Sequence, residues 1–364
     1  MASQNAHPNR HRAIPRWDAS RRKHARLSLL VLASVALTAC RDAPPEQHDR
    51  TGGLIATPAG LKVALLGDQG VDESARSVLQ LIADEHADAV IHLGDLAYDE
   101  AAPSGWDQQI DAVLGTEFPY FGVIGNHDLG AWNGPDGFSA RLLARLARVP
   151  DAQCTGEYGV NSVCRFRGLS FVLSGVGTYG ADHEAFIESA LAESTAIFRL
   201  CIWHKNQHDM QAGAKSDEVG WWAYQVCARH GVPVITGHEH SYARTQLLAA
   251  IGDRDRAHGA LGVAERLELT PDRTFVVVAG LGGQSRRPRT DDHTNDTWWA
   301  SIYAENYQLR NAVLEGTDAT IAYGALFIDF NVDADPHLAR GYFKTVDGQI
   351  HDSFTFVVPG SGPR

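Results

Sequence analysis

Apolar runs that end in a residue able to bind a ligand recur along this chain, and no other feature restricts its fold so tightly. Val63–Leu66 leads into Gly67-Asp68-Gln69-Gly70, and Ala89–Leu93 into Gly94-Asp95-Leu96-Ala97-Tyr98. Tyr120–Ile124 leads into Gly125-Asn126-His127-Asp128, Phe198–Trp203 into His204, and Val232–Thr236 into Gly237-His238-Glu239-His240. Short apolar runs bounded by turn residues read as buried strands, and helical periodicity lies between them. Val78, Leu81 and Ile82 share one face of a helix capped by Asp72, and a second helix is expected over about 106–117. Strands alternating with helices make an α/β fold. In open α/β sheets ligands bind beyond the carboxyl ends of the strands. Glycine at such an end lets the backbone turn, so that the next side chain points back at a shared centre.

Taken singly, each motif is ordinary. Gly-Asp is a common turn with an Asx hydrogen bond, and a histidine after an apolar strand is commonly a satisfied core residue. His238 and His240 say more, because the period of two along a strand would align both imidazoles on one face. The joint occurrence, always at strand ends, is what points to metal chemistry. Asp68, Asp95, Tyr98, Asn126, His204, His238 and His240 make seven oxygen and nitrogen donors. That is too many for one ion and suits two, with one carboxylate bridging and water or hydroxide in the open positions. No thiolate belongs to the set, so a soft-metal site is not indicated.

These motifs resemble the calcineurin-like metallophosphoesterase superfamily, and more closely its purple acid phosphatase branch, over roughly residues 61–350. Many members begin Asp-x-His, but here Gly70 stands at the histidine position. Tyr98 in the second motif matches the purple branch, where a tyrosine replaces that ligand. The resemblance implies one catalytic domain over 61–358, a two-sheet mixed β sandwich flanked by helices (α/β/β/α). Asp68, Tyr98 and His240 would hold Fe(III), Asn126, His204 and His238 would hold Fe(II), Zn(II) or Mn(II), and Asp95 would bridge. The implied activity is hydrolysis of phosphate monoesters by attack of a hydroxide bound at the dinuclear centre. A phosphodiesterase or nucleotide phosphatase using the same centre is the runner-up, and a non-catalytic phosphate- or partner-binding surface lipoprotein the reading of another class.

Other residues take roles from the same resemblance. His127 would face the phosphate, holding an oxygen or protonating the leaving alcohol, and Asp128 would orient a histidine from behind. His204-Lys205-Asn206-Gln207-His208 departs from the proline-containing stretch common in plant and animal enzymes, and makes His208 and Lys205 candidates for phosphate contact or proton transfer. Gly280-Leu281-Gly282-Gly283 matches a glycine-rich strand end of relatives. Alternating segments over about 324–332, 338–346 and 351–357 resemble the closing strands of the family's second sheet. Arg286, Arg287 and Arg289 are candidates for the rim, and Trp221, Trp222, Trp298 and Trp299 for stacking an aromatic leaving group.

The N-terminus reads as an address. Arg10, Arg12, Arg16, Arg21, Arg22, Lys23 and Arg26 face a single acid, Asp18, before the apolar run Leu27–Ala39. A basic region and a short apolar run describe a secretory signal, too short to span a bilayer as a stable helix. Leu37-Thr38-Ala39-Cys40 resembles a bacterial lipobox, which predicts a signal over 1–39, acylation at Cys40 and a lipid anchor at a membrane surface facing the periplasm or cell exterior. An ordinary cleaved signal or a plain anchor is the alternative. Ser20-Arg21-Arg22 begins like a twin-arginine signal, but Lys23-His24-Ala25 lacks the apolar continuation. Residues 40–60, rich in proline and glycine, read as a flexible tether. The whole chain carries −12, and without the seven basic residues and one acid of 1–40 it keeps 25 basic and 43 acidic residues, net −18. Nucleic acid is therefore not an expected partner. Export also suits the cysteines: a disulfide between Cys154 and Cys164 across a short polar stretch is expected, while Cys201 and Cys227 are left as buried thiols or a pair.

Overall fold

The computed structural model describes residues 53–98, 103–293, 295–316 and 320–360. The expected signal, Cys40 and the tether as far as residue 52 lie outside them. From the N-terminal side the elements are β1 (Leu61–Leu66), α1 (Glu73–Asp84), β2 (Ala89–His92), α2 (Pro103–Leu114), β3 (Tyr120–Gly122) and α3 (Phe138–Leu146). There follow β4 (Ala152–Glu157), β5 (Asn161–Phe166), β6 (Leu169–Ser174), α4 (His183–Glu193), β7 (Arg199–Ile202), α5 (Trp222–Arg229), β8 (Val234–Thr236) and β9 (Tyr242–Thr245). The C-terminal part holds β10 (Arg266–Glu268), β11 (Val276–Ala279), β12 (Trp299–Ala304), β13 (Tyr307–Arg310), β14 (Val313–Gly316), β15 (Gly324–Val332), β16 (Asp335–Thr345) and β17 (Ile350–Val357).

Two mixed sheets form a single domain, as expected for the sandwich. One has seven strands in the order β10-β17-β16-β15-β1-β2-β3, the other ten in the order β14-β13-β12-β9-β11-β8-β7-β6-β5-β4. Each has a parallel part, β1-β2-β3 at one edge of the first and β6-β7-β8-β11 inside the second. Parallel strands are covered on both faces, which is why their sequences are nearly unbroken apolar runs. Along β11 the pleat divides the burial: Val277 enters the core between the sheets, while Val276 and Val278 face the core beneath α4 and α5. On the other side α1 and α2 pack together, and α1 lies against β15.

The closing strands differ from expectation. β15, β16 and β17 do not complete a second sheet; they extend the sheet that begins with β1, because β15 pairs antiparallel with the edge of β1 opposite β2 (Leu61↔Phe330, Leu65↔Leu326). The second helix starts and stops three residues before its expected limits. Pro103 occupies its first position, where the missing N–H costs nothing, and Gly115 ends it with φ 96. Cys154 and Cys164 face each other across β4 and β5 and are joined. Cys201 and Cys227 are also a disulfide, tying β7 to α5.

Candidate metal centre

The donors stand beyond the carboxyl ends of β1, β2, β3, β7 and β8, where the two sheets meet. The Gly67 amide donates to Ala279 of the second sheet, and the Gly282 amide donates back to Gly67. Across this seam Asp68 Oδ1, the Tyr98 hydroxyl and His240 Nε2 form a triangle with edges of 3.0, 3.1 and 3.2 Å. His204 Nε2 lies 3.1 Å from Asp95 Oδ2 and 3.1 Å from His238 Nδ1. Asp95, His204 and His238 are buried and bring one donor atom each within 4.8 Å of one another.

The residues fit a metal pair. Octahedral donors about 2.1 Å from an ion lie about 3.0 Å from each other, close to the edges observed. The tautomers agree. His204 Nδ1 contacts the Leu93 carbonyl at 2.9 Å and His238 Nε2 contacts Glu218 at 2.6 Å, and both partners only accept, so the protons sit on those nitrogens. His204 Nε2 and His238 Nδ1 then present lone pairs to each other beside a carboxylate, an arrangement that needs a cation. With only protons to supply one, burial opposes a charged His204, yet Asp95, by charge and hydrogen bond, and Asp68 lift its pKa to about 9. Burial and the charges of His204 and Lys215 push His238 down to about 3. Burial would raise Asp68, but His240, by charge and hydrogen bond, holds it well below the usual carboxylate range. Asn126 keeps a buried Oδ1 with no hydrogen-bond partner among the described residues, a group that costs about 1–3 kcal/mol to bury unless something binds it.

Local backbone geometry explains the glycines differently from a simple turn. The left-handed conformation belongs mostly to the donors: Asp68, Asp95 and His238 have φ of 59, 55 and 70°. Such strain in non-glycine residues persists where surrounding contacts hold it. Glycine is needed beside them for close approach. A Cβ on Gly125 would lie 2.1 Å from the Asp95 amide nitrogen and 2.2 Å from its Oδ1, and one on Gly94 would lie 2.7 Å from the His204 ring.

Several expected roles change. His238 and His240 are not on a strand face. They lie in the loop after β8, and the left-handed turn at His238 sends the two rings apart, one toward His204 and the other toward Asp68 and Tyr98. Asp128 orients no histidine: its carboxylate accepts from the amides of Asp95, Leu96 and Gly125, clamping the second motif to the third. Burial and the Asp95 charge raise its pKa to about 7. His127 is exposed, its ring centroid 4.5 Å from that of Tyr98 and its amide donating to Asp95 Oδ1. His208 turns to the loop wall, with Nδ1 2.7 Å from the Lys215 carbonyl and its ring on His293, and none of these contacts reaches a donor. Lys205 pairs with Glu218. Arg286 donates to the Ile321 carbonyl and Arg289 to that of His293, so of the three arginines Arg287 alone turns to the motif, 3.6 Å from Glu239. Trp298 and Trp299 are buried in the core under α4 and α5, and Trp221 and Trp222 pack against it. Gly280 and Gly282 allow the end of β11 to pass Glu239 and Gly67; Cβ atoms there would meet their carbonyl oxygens at 2.1 and 2.4 Å.

Three partners were not foreseen. Glu218 meets His238, Ser285 lies 2.8 Å from His240 Nδ1, and the Lys215 ammonium donates to the His238 carbonyl. Burial lowers the Lys215 pKa. Ser285 had a signal in the glycine-rich strand end just before it, whereas the polar loop carrying Lys215 and Glu218 had none.

A sequence model of the calcineurin-like phosphoesterases matches residues 61–242, half of the chain. The chain belongs to the calcineurin-like phosphoesterase family. An Arabidopsis thaliana protein named "Probable inactive purple acid phosphatase 1" is 24% identical over 350 residues, which covers 81% of this chain and 49% of the relative. This phosphoesterase thus spans about half the length of that curated relative. Purple acid phosphatase PPD1 from yellow lupin (Lupinus luteus) seeds aligns with a TM-score of 0.57 at 20% identity, over 82% of this chain and 54% of the lupin chain. A structure of PhoD aligns with a TM-score of 0.51 at 13% identity, over 85% and 72% of the two chains. At these identities the likeness shows the fold of the family.

Proposed function

We propose that this phosphoesterase is a metal-dependent hydrolase of small phosphate monoesters with a purple acid phosphatase-like centre. Asp68, Tyr98 and His240 would hold Fe(III), Asn126, His204 and His238 a divalent ion, and Asp95 would lie between them. The observation that carries the reading is the Tyr98 hydroxyl, 3.0 Å from Asp68 and 3.1 Å from His240 in a chain that has no side chain at Gly70. A phenolate and carboxylates are hard anionic donors suited to a ferric ion, and the amide and imidazoles suit a divalent one. When bound, such a pair supplies Lewis acidity toward the phosphoryl oxygens and a water of lowered pKa. The protein's own contribution is orientation. His127, exposed beside Tyr98, is available to hold an ester oxygen and give the leaving oxygen its proton. Lys215 and Arg287 bring positive charge to the His238-Glu239-His240 segment of a body that otherwise repels anions.

All seven donors are present, which favours catalysis over a binding-only lipoprotein. Metal analysis combined with a panel of monoesters, diesters and nucleotides tests the reading. Loaded protein should be coloured by tyrosinate-to-iron charge transfer, and Tyr98→Phe should bleach it. A colourless zinc-only or manganese-only enzyme would remove the purple-phosphatase reading and leave a metallophosphoesterase; a diester preference would replace the substrate. We also propose export and anchoring through acylated Cys40 at a bacterial membrane, a reading supported by two disulfides in the body, which suit an oxidising compartment. Cys40→Ala should leave the membrane fraction, and unchanged membrane association would refute the anchor.

A further inference from the structure

We propose that Lys205 and Glu218 form, with His238, a positioning relay that sets the affinity of the second ion, the one His204, His238 and Asn126 would hold. The inference rests on the metal-centre reading and adds to it two residues outside the donor set.

Glu218 uses its two oxygens separately. Oε2 lies 2.6 Å from His238 Nε2 and Oε1 2.5 Å from Lys205 Nζ. A carboxylate accepts only, so the first contact fixes the proton on Nε2 and turns the Nδ1 lone pair toward His204. The other two imidazoles are oriented by weaker partners, His204 by a backbone carbonyl and His240 by a hydroxyl. His238 alone leans on an anion, which raises the basicity of its free nitrogen. Lys205 restrains that anion: by occupying one oxygen it keeps Glu218 against the imidazole and away from the ions. The cation also follows His204 directly in sequence, so one loop carries a donor and the clamp on its neighbour's partner.

The loop is built to hold this arrangement. The Glu218 amide donates to Asn206, whose side chain links Gly237 and Thr236. Asp217 Oδ1 accepts from the amides of Val219 and Gly220, at 3.1 and 2.7 Å. A Cβ on Gly177 would lie 2.5 Å from the Glu218 carbonyl, so the loop is backed by chain on that side as well. The Lys205 and Glu218 side chains are 17% and 26% exposed, so the pair is largely covered by the surrounding chain. Its consequence lies in where His238 points.

Binding of Zn(II) or Mn(II) to the iron-loaded protein, followed by calorimetry and by metal stoichiometry, separates this role from a general structural one. Glu218→Ala should weaken the second ion by about 10–100-fold while the iron and its charge-transfer band remain. Glu218→Gln, which keeps an acceptor for Nε2–H, should restore part of the loss, and Lys205→Met should weaken the ion in the same direction by less. Wild-type affinity in Glu218→Ala, parallel loss of both ions, or a Gln variant no better than the Ala variant would each overturn the relay. Failure of the wild-type chain to bind two ions would instead refute the proposed function, and that result is read before any variant is made.

Discussion

Asp352→Ala should destabilise the protein more than any surface change, because it strips a buried arginine of its partner. Arg244 of β9 and Asp352 of β17 belong to different sheets and their side chains are 0% exposed. The guanidinium donates Nε to Oδ2 at 2.6 Å and Nη2 to Oδ1 at 2.8 Å, a bidentate pair, and Tyr242 donates to the same Oδ2 at 2.6 Å. Nη1 reaches the Ala264 carbonyl at 2.9 Å, and the guanidinium carbon lies 4.2 Å from the centre of the Phe354 ring. Removing the carboxylate leaves a buried charge with only the Ala264 and Thr245 carbonyls as partners and orphans the Tyr242 hydroxyl. Breaking a buried pair from one side costs about 3–5 kcal/mol. For a folded body of this length that lowers the melting temperature by about 5–8 °C. Equilibrium urea unfolding and thermal melts, with disulfides intact, give both numbers. The double variant Arg244→Met/Asp352→Leu should recover part of the loss, since the desolvation penalty disappears with both charges while the Tyr242 hydroxyl still lacks its acceptor. A single-variant loss below about 1 kcal/mol, the range of a surface pair, would refute the claim that this pair pins the sheets together.

Three further outcomes are expected. Asp95→Ala should lower the affinity for both ions, measured as metal stoichiometry after gel filtration; two ions retained per chain would refute the bridging role. His127→Ala should keep both ions but reduce kcat by about 10²–10⁴-fold on monoesters with poor leaving groups, with unchanged turnover refuting proton donation. Glu85 accepts from Lys344 at 2.5 Å and Tyr342 at 2.6 Å, and these partners, with Lys62, lower its pKa below the ordinary 4.5 although burial opposes the shift. A depressed folded pKa contributes stability that is present above pH 4.5 and lost as pH falls through the lower folded value. Urea midpoints of wild type and Glu85→Gln should therefore converge on acidification below that pH, and a gap that stays constant would refute it.

Much of the site could be read from the motifs taken together because metal chemistry leaves few choices of residue. Carboxylate, amide and imidazole had to stand at strand ends, and strands buried on both faces announce themselves as apolar runs. Gly70 and Tyr98 were legible as a pair only through the family resemblance, in which a tyrosine of the second motif replaces the histidine missing at Gly70. The helix limits were legible less well, because Pro103 and Gly115 outweigh the apolar period near the ends. The partners of the donors were hidden. Nothing in the loop from Lys205 to Gly220 marks Glu218 as the carboxylate that folds back on His238, and Asp128 looks the same whether it faces a ring or three amides.

By itself, then, the sequence determined the strands that lead into the site, the donor types and the fold class that carries them, since those depend on local pattern and on the chemistry of single side chains. Only the tertiary structure decided that β15 joins β1, that His238 and His240 point to different partners, and that Cys201 meets Cys227. Each of these is a pairing between distant segments or a backbone dihedral set by crowding at the seam of two sheets. Such choices are made by packing, and no short stretch of sequence contains both sides of the contact.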